Sequence, residues 1–415
     1  MKWKEYSLDE LIHIKHGYAF KGEFFSEEPT DDILLTPGNF AIGGGFKVQK
    51  LKYYNGEFPV DYILDENDVI VTMTDLSKEA DTLGFSAKVP AWYGKRFLHN
   101  QRIGLVKLKT DDFDKDYLYW LMRTFSYQRF VANGATGATV KHTSPTKICQ
   151  YKFIAPDDKT TQRKIASILS AYDDLIENNL KRIKLLEEKA QLHYKELMQE
   201  MSYSKTKREE YIKDCLAFYI GGGWGEEDYK EGFTEPAFVI RGTDIPDAKK
   251  GEVKGVPFRY HKESNLTSRN IQAGDIVFEV SGGSKGQPVG RSLLITEKIL
   301  QQFGKPVMCA SFCKMLRPNE NVTPEFFYLY LLASHENGVI AQYEKHSASN
   351  IVNYGFEEFI GEQKITIPKE TELKAFTEKV KPIFTLISTL GEQNSKLREA
   401  RDILLPKLMN GQIEV

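Results

Sequence analysis

Two stretches of this chain are periodic in sevens, and each carries one asparagine in its apolar seam. In residues 158–201 the seam falls at Ile165, Leu169, Tyr172, Ile176, Asn179, Ile183, Leu186, Ala190, His193 and Leu197. In residues 370–409 it falls at Phe376, Val380, Ile383, Ile387, Leu390, Asn394, Leu397, Arg401, Leu404 and Leu408. Steps of four and three alternate, the spacing of a coiled-coil seam. Laid antiparallel, the two seams superimpose. Asn179 then meets Asn394, Ile176 meets Leu397, Ile183 meets Leu390, Leu186 meets Ile387 and Leu169 meets Leu404. Tyr172 meets Arg401, which predicts a cation–π contact. A polar seam residue costs stability but fixes register, and in a parallel pair the asparagines fall out of step. Asp157 or Asp158 is the expected cap of the first helix and Thr371 of the second. Pro382 is expected to kink the second helix, because it removes one backbone donor.

The segments before the helices repeat each other. Asn67–Val71 recurs as Gly274–Phe278, Asp116–Leu121 as Glu325–Tyr330, Gly137–Val140 as Ala348–Ile351, and Phe153–Pro156 as Ile365–Pro368, all in one order. The aromatic residues Tyr117, Tyr119, Trp120, Phe326, Phe327 and Tyr330 recur at helical spacing and read as core. The fold class is therefore α+β: two similar mixed α/β units separated by two long antiparallel helices, with an internal pseudo-two-fold repeat. The expected boundaries are 1–157, 158–203, 204–369 and 370–415.

Charge and motifs narrow the function. With 56 basic and 58 acidic residues the net charge is -2, so any nucleic-acid contact must come from local patches or a partner. No apolar run is long enough for a membrane helix and the start is not a secretory signal, which predicts a cytoplasmic chain. None of the four cysteines forms a CxxC pair. Cys309 and Cys313 lie in one alternating, strand-like stretch and read as buried core. His142, His261 and His346 are single residues rather than a metal cluster. Gly17 and Gly22 have the spacing of a phosphate loop, but Glu23 follows where lysine is needed. There is no Pro-Pro, which a base-amine methyltransferase loop requires. These observations argue against catalysis by the chain alone.

Thr161–Ser170, Asp173–Asn179 and the end Arg401–Ile413 resemble the central and distal conserved regions of type I restriction-modification DNA specificity subunits. The resemblance implies two target recognition domains, each reading one half of a split DNA site. It implies that the helices set the gap and dock two methyltransferase subunits, with motor-nuclease subunits completing the complex. It implies S-adenosylmethionine and ATP on those partners and no cofactor or metal on this chain. A coiled-coil scaffold, or a specificity subunit of a related system without cleavage, is the alternative.

Three pairs of repeated polar loops are the candidate DNA contacts, because Asn and Gln can pair with adenine, Arg with guanine, and Lys with phosphate. The first pair supplies Asn39, then Arg241 and Thr243. The second supplies Thr74 and Lys78, then Ser284, Lys285 and Gln287. The third supplies Thr139, Lys141 and His142, then Lys345, His346 and Asn350. Arg102 and Arg291 complete the set. Asn39, Arg102, Arg241 and Gln287 are the expected base readers.

Overall fold

A computed structural model describes residues 2–49, 51–77, 79–203, 207–282, 289–346 and 352–415, with the side chain of His346 left out. The chain divides into two compact units, Met1–Asp173 with Glu399–Val415, and Asp174–Arg398. Both cuts fall inside long helices, Lys159–Tyr203 and Glu370–Met409. Each unit thus contains part of both helices.

The first unit is built on a four-stranded antiparallel sheet in the order Ile12–His16, Ile103–Leu108, Val69–Thr72, Ser86–Lys88. Val69, Ile70 and Val71 are all fully buried, as expected of a central strand covered on both faces. A second sheet joins Arg96–Leu98 in parallel to Asp32–Leu34. Trp3–Ser7 pairs with Lys152–Pro156. Asp114 caps the helix Lys115–Leu121 by accepting from the backbone of Asp116 and Tyr117, and Tyr117 and Trp120 are fully buried. The end of the chain belongs to this unit: Leu405, Leu408 and Met409 pack in one core with Ile165 and Leu169.

The second unit repeats the plan. Its four-stranded sheet runs Leu216–Gly221, Cys313–Pro318, Ile276–Glu279, Ser292–Leu294. Val307–Cys309 joins Glu235–Ile240 in parallel, and Arg208–Tyr211 pairs with Lys364–Ile367. Phe326 and Phe327 on the helix Pro324–Glu336 are fully buried. Cys309 and Cys313 are buried as expected, but on two strands rather than one. The backbone turns between them, with the Cys313 N–H donating to the Ala310 carbonyl at 2.8 Å.

Within the second unit the seams meet in antiparallel register. Asn179 Nδ2 donates to Asn394 Oδ1 at 3.0 Å, and both residues are buried. Ile183, Ile387 and Leu390 lie in the same core, each such side chain contributing roughly 1.5–3 kcal/mol on burial. Asp158 caps the first helix, accepting from the Thr161 backbone at 2.7 Å. Thr371 does not cap the second: that helix starts at Glu370, and the Glu372 carboxylate reaches back to the Lys369 N–H at 3.1 Å. The helix runs through Pro382 without a break. Arg401 does not sit on Tyr172. Its guanidinium is drawn to the Asp173 and Asp402 carboxylates, stronger partners than a ring face.

Candidate nucleic-acid interface

In the first unit the second and third polar loops come together. Thr74–Asp75 pairs antiparallel with Lys141–His142. The Met73 carbonyl accepts from the Thr143 N–H at 3.0 Å, and the Met73 N–H donates to the Arg102 carbonyl at 3.0 Å. Thr74 Oγ1 lies 3.2 Å from His142 Nδ1. One ribbon therefore gathers Arg102, Lys141 and His142, and Thr139 lies two residues before Lys141. Arg102, Thr139 and His142 are exposed and Lys141 half-buried.

The loop after this ribbon is wound on one carboxylate. Asp75 accepts from the Ser77 N–H at 2.7 Å, the Thr82 N–H at 2.7 Å and the Thr82 hydroxyl at 2.6 Å. Burial pushes the Asp75 carboxyl up, but the hydrogen bonds from Thr82 and Ser77 outweigh it and hold the group below its ordinary value. His99, in the turn before Arg102, is lowered by burial to about 4. It is neutral near pH 7, and its Nε2–H donates to the Ile103 carbonyl at 2.8 Å.

The second unit makes the same ribbon. Ser281–Gly282 pairs with Val352–Tyr354, which also pairs with Glu344–His346. Ser281 Oγ donates to Asn353 Oδ1 at 3.3 Å, the counterpart of the Thr74–His142 contact. Asn353 is exposed. The residue readings missed it, although the repeat that aligns Val140 with Ile351 also aligns His142 with Asn353.

Several candidates are occupied elsewhere. Asn39 is fully buried; its Oδ1 accepts from the Thr36 N–H at 2.8 Å and its Nδ2 donates to the Lys47 carbonyl at 3.3 Å. It closes a turn and has no free edge for a base. Arg241 forks onto Asp244 at 2.9 and 2.7 Å, in the corresponding turn. Thr243 in that turn is exposed. Arg291 forks onto the buried Glu279 at 2.7 and 2.5 Å, and moving it to DNA would strand that carboxylate. Thr74 is buried and positions His142 instead of facing outward. Lys345 is exposed but bonded to Glu358 at 2.6 Å. Lys78, Ser284, Lys285, Gln287 and Asn350 lie outside the described residues, as does the side chain of His346.

Among the described residues no group of His, Cys, Asp and Glu is arranged to hold a metal ion, and no helix is long and apolar enough to cross a membrane. The two mixed units thus match, and each carries a small polar ribbon at the corresponding place in the repeat.

Comparison with known proteins agrees. Residues 1–188 match the type I restriction modification DNA specificity domain. The chain is 26% identical over 329 residues to the type I restriction enzyme MjaIX specificity subunit of Methanocaldococcus jannaschii, covering 72% of this chain and 69% of that one. It is 22% identical over 446 residues to the EcoBI specificity subunit of Escherichia coli, covering 99% and 86%. The crystal structure of a type I restriction-modification S subunit from M. genitalium shares the fold, with a TM-score of 0.58 and 17% identity over 98% of this chain and 96% of that one. The chain is thus similar to type I restriction-modification DNA specificity subunits, by a family match over its first 188 residues and by relatives that span most of its length.

Proposed function

We propose that each unit reads one half of a split double-stranded DNA site through its ribbon, and that the paired helices fix the gap between the halves. The observation that carries this reading is the duplicated ribbon, Thr74–Asp75 with Lys141–His142 and Ser281–Gly282 with Val352–Tyr354. Helices of 45 and 40 residues are roughly 68 and 60 Å long, against about 34 Å for one turn of DNA. The Asn179–Asn394 bond supports the ruler role, because a slip of either helix would bury both amides without a partner.

The chain itself is non-catalytic in this reading. Two methyltransferase subunits dock on the helices, bring S-adenosylmethionine and flip an adenine in each half-site. Motor-nuclease subunits bring ATP. Exposed apolar residues support a doubled docking face. Leu175 and Leu386 stand just before Ile176 and Ile387, equivalent positions of the two seams. Leu192 and Ile403 stand just before His193 and Leu404. One partner surface can thus be bound twice.

The test is a methylation map of DNA from cells co-expressing this chain with its methyltransferase partner. Modified adenines in a split motif with one fixed gap are expected. Heptads inserted together in both helices should lengthen that gap, and a heptad in one helix alone should abolish assembly. An unchanged gap after matched insertions would remove the ruler role.

A further inference from the structure

Three backbone hydrogen bonds of the turn that presents Arg102 in the first unit recur in the second. Tyr18 N–H donates to the His99 carbonyl at 2.8 Å, and Gly223 N–H to the Cys309 carbonyl at 2.9 Å. Ile103 N–H donates to the Asn100 carbonyl at 2.9 Å, and Cys313 N–H to the Ala310 carbonyl at 2.8 Å. Met73 N–H donates to the Arg102 carbonyl at 3.0 Å, and Val280 N–H to the Phe312 carbonyl at 2.9 Å. A glycine lies against each turn for the same reason. A Cβ on Gly17 would stand 2.1 Å from the Asn100 carbonyl oxygen, and a Cβ on Gly222 2.2 Å from that of Cys309. By these matches the corner residue is Arg102 in one unit and Phe312 in the other.

Phe312 is 61% exposed. A lone exposed apolar residue is ordinary; its position is what distinguishes this one. It sits beside the ribbon strand Ser281–Gly282, where the first unit puts Arg102 beside Thr74–Asp75. The major groove offers an arginine the O6 and N7 acceptors of guanine. It offers a phenyl ring one apolar group, the C5-methyl of thymine.

Resting on the reading of this chain as a two-site DNA reader, we propose that Phe312 is a base-contacting residue of the second half-site and selects a thymine by packing on its methyl group. Arg102 takes a guanine at the equivalent place in the first half-site. The two units share one reading corner and differ in the chemistry mounted on it.

The experiment uses the full chain assembled with its methyltransferase subunits. Duplexes carry the mapped motif, with each second-half thymine replaced in turn by deoxyuridine, which lacks only the methyl. One replacement should weaken binding about fourfold, the worth of one buried methyl group. Phe312→Ala should lose the same factor on the thymine duplex and show no further loss with deoxyuridine. Phe312→Leu, which keeps an apolar surface, should retain the sensitivity. Arg102→Ala should relax a guanine position of the first half by roughly tenfold or more and leave the second half unchanged. A second half without thymine, uniform tolerance of deoxyuridine, or wild-type affinity in Phe312→Ala would overturn the assignment alone. Absence of any split motif would overturn the two-site reading, and this assignment with it.

Discussion

At one equivalent set of positions the two units are fastened to the helices within them by different chemistry. In the first, Arg123 is almost fully buried and lies over Trp120 at 4.3 Å from the ring centroid. It donates to the Tyr119 hydroxyl at 2.7 Å and to Asp173 at 2.5 Å, and Arg401 takes the other oxygen of Asp173. In the second unit the positions equivalent to Tyr119, Arg123 and Asp173 hold Tyr328, Leu332 and Phe384. The Tyr328 and Phe384 rings meet edge to face at 5.5 Å, beside a cavity of about 200 Å³ lined by Lys249, Leu332 and Phe384 among others. A glycine completes this junction: a Cβ on Gly391 would stand 2.0 Å from the Lys250 carbonyl oxygen. At this one point the repeat uses a charged triad in the first unit and an aromatic pair in the second, whose body is tied to its helix by charge elsewhere, Lys298 to Glu392 and Arg398 to Glu252. The joint is a demand of the fold, and its chemistry is open to change.

That contrast can be broken from either side. Phe384→Ala should cost the second unit about 3–5 kcal/mol, as for other buried phenylalanines. Hydrogen exchange should speed up in peptides from 174–398 and not in those from 1–157. Arg123→Ala should cost the first unit about 3 kcal/mol, because it leaves Asp173 with one cation instead of two; denaturant unfolding measures it. This penalty should depend on acidity. Burial pushes the Asp173 carboxyl up, but Arg123 and Arg401 outweigh it and hold the group below its ordinary value. The stabilisation is therefore fully present above about pH 4. It fades as the pH falls through the lower folded value, and the wild type and Arg123→Ala should then converge. Phe384→Ala removes no partner of Asp173, so its penalty should not follow the titration of that carboxyl.

Gly391→Ala sharpens the comparison further. Alanine in a helix normally gains about 1 kcal/mol over glycine. Here the methyl meets backbone, and a net loss of about 1–2 kcal/mol is expected in thermal unfolding. The smallest effect belongs to the seam. Replacing Asn179 and Asn394 together by leucine should leave stability equal or raise it by about 1 kcal/mol, since both amides go at once. It should also broaden the distribution of gap lengths in the methylation map.

Much of this architecture was legible because periodicity and repetition are written in the order of residues. The heptads predict the Asn179–Asn394 contact that the structure shows, and the repeat places the polar loops of each unit in register. What the order of residues did not show is which polar side chains are already engaged within the fold, Asn39, Arg241 and Arg291 among them. Asn39 and Asp244 each stand three residues after Thr36 and Arg241, and each side chain returns to that residue's N–H. That spacing marks a local cap, and it outcompeted any outward role. The Arg291–Glu279 and Arg123–Asp173 pairs join residues far apart in the chain, and no local pattern announces them. Phe312 was hidden because the alternation across 307–313 reads as one strand, whereas the backbone turns there to build the corner.

The most direct test of the account is to replace residues 1–157 with the matching segment of a type I specificity subunit of known, different specificity, and to map methylation again. The account predicts that one half of the split motif changes while the other half and the gap stay as they were. A motif changed in both halves, or in neither, would contradict the claim that each unit reads its own half.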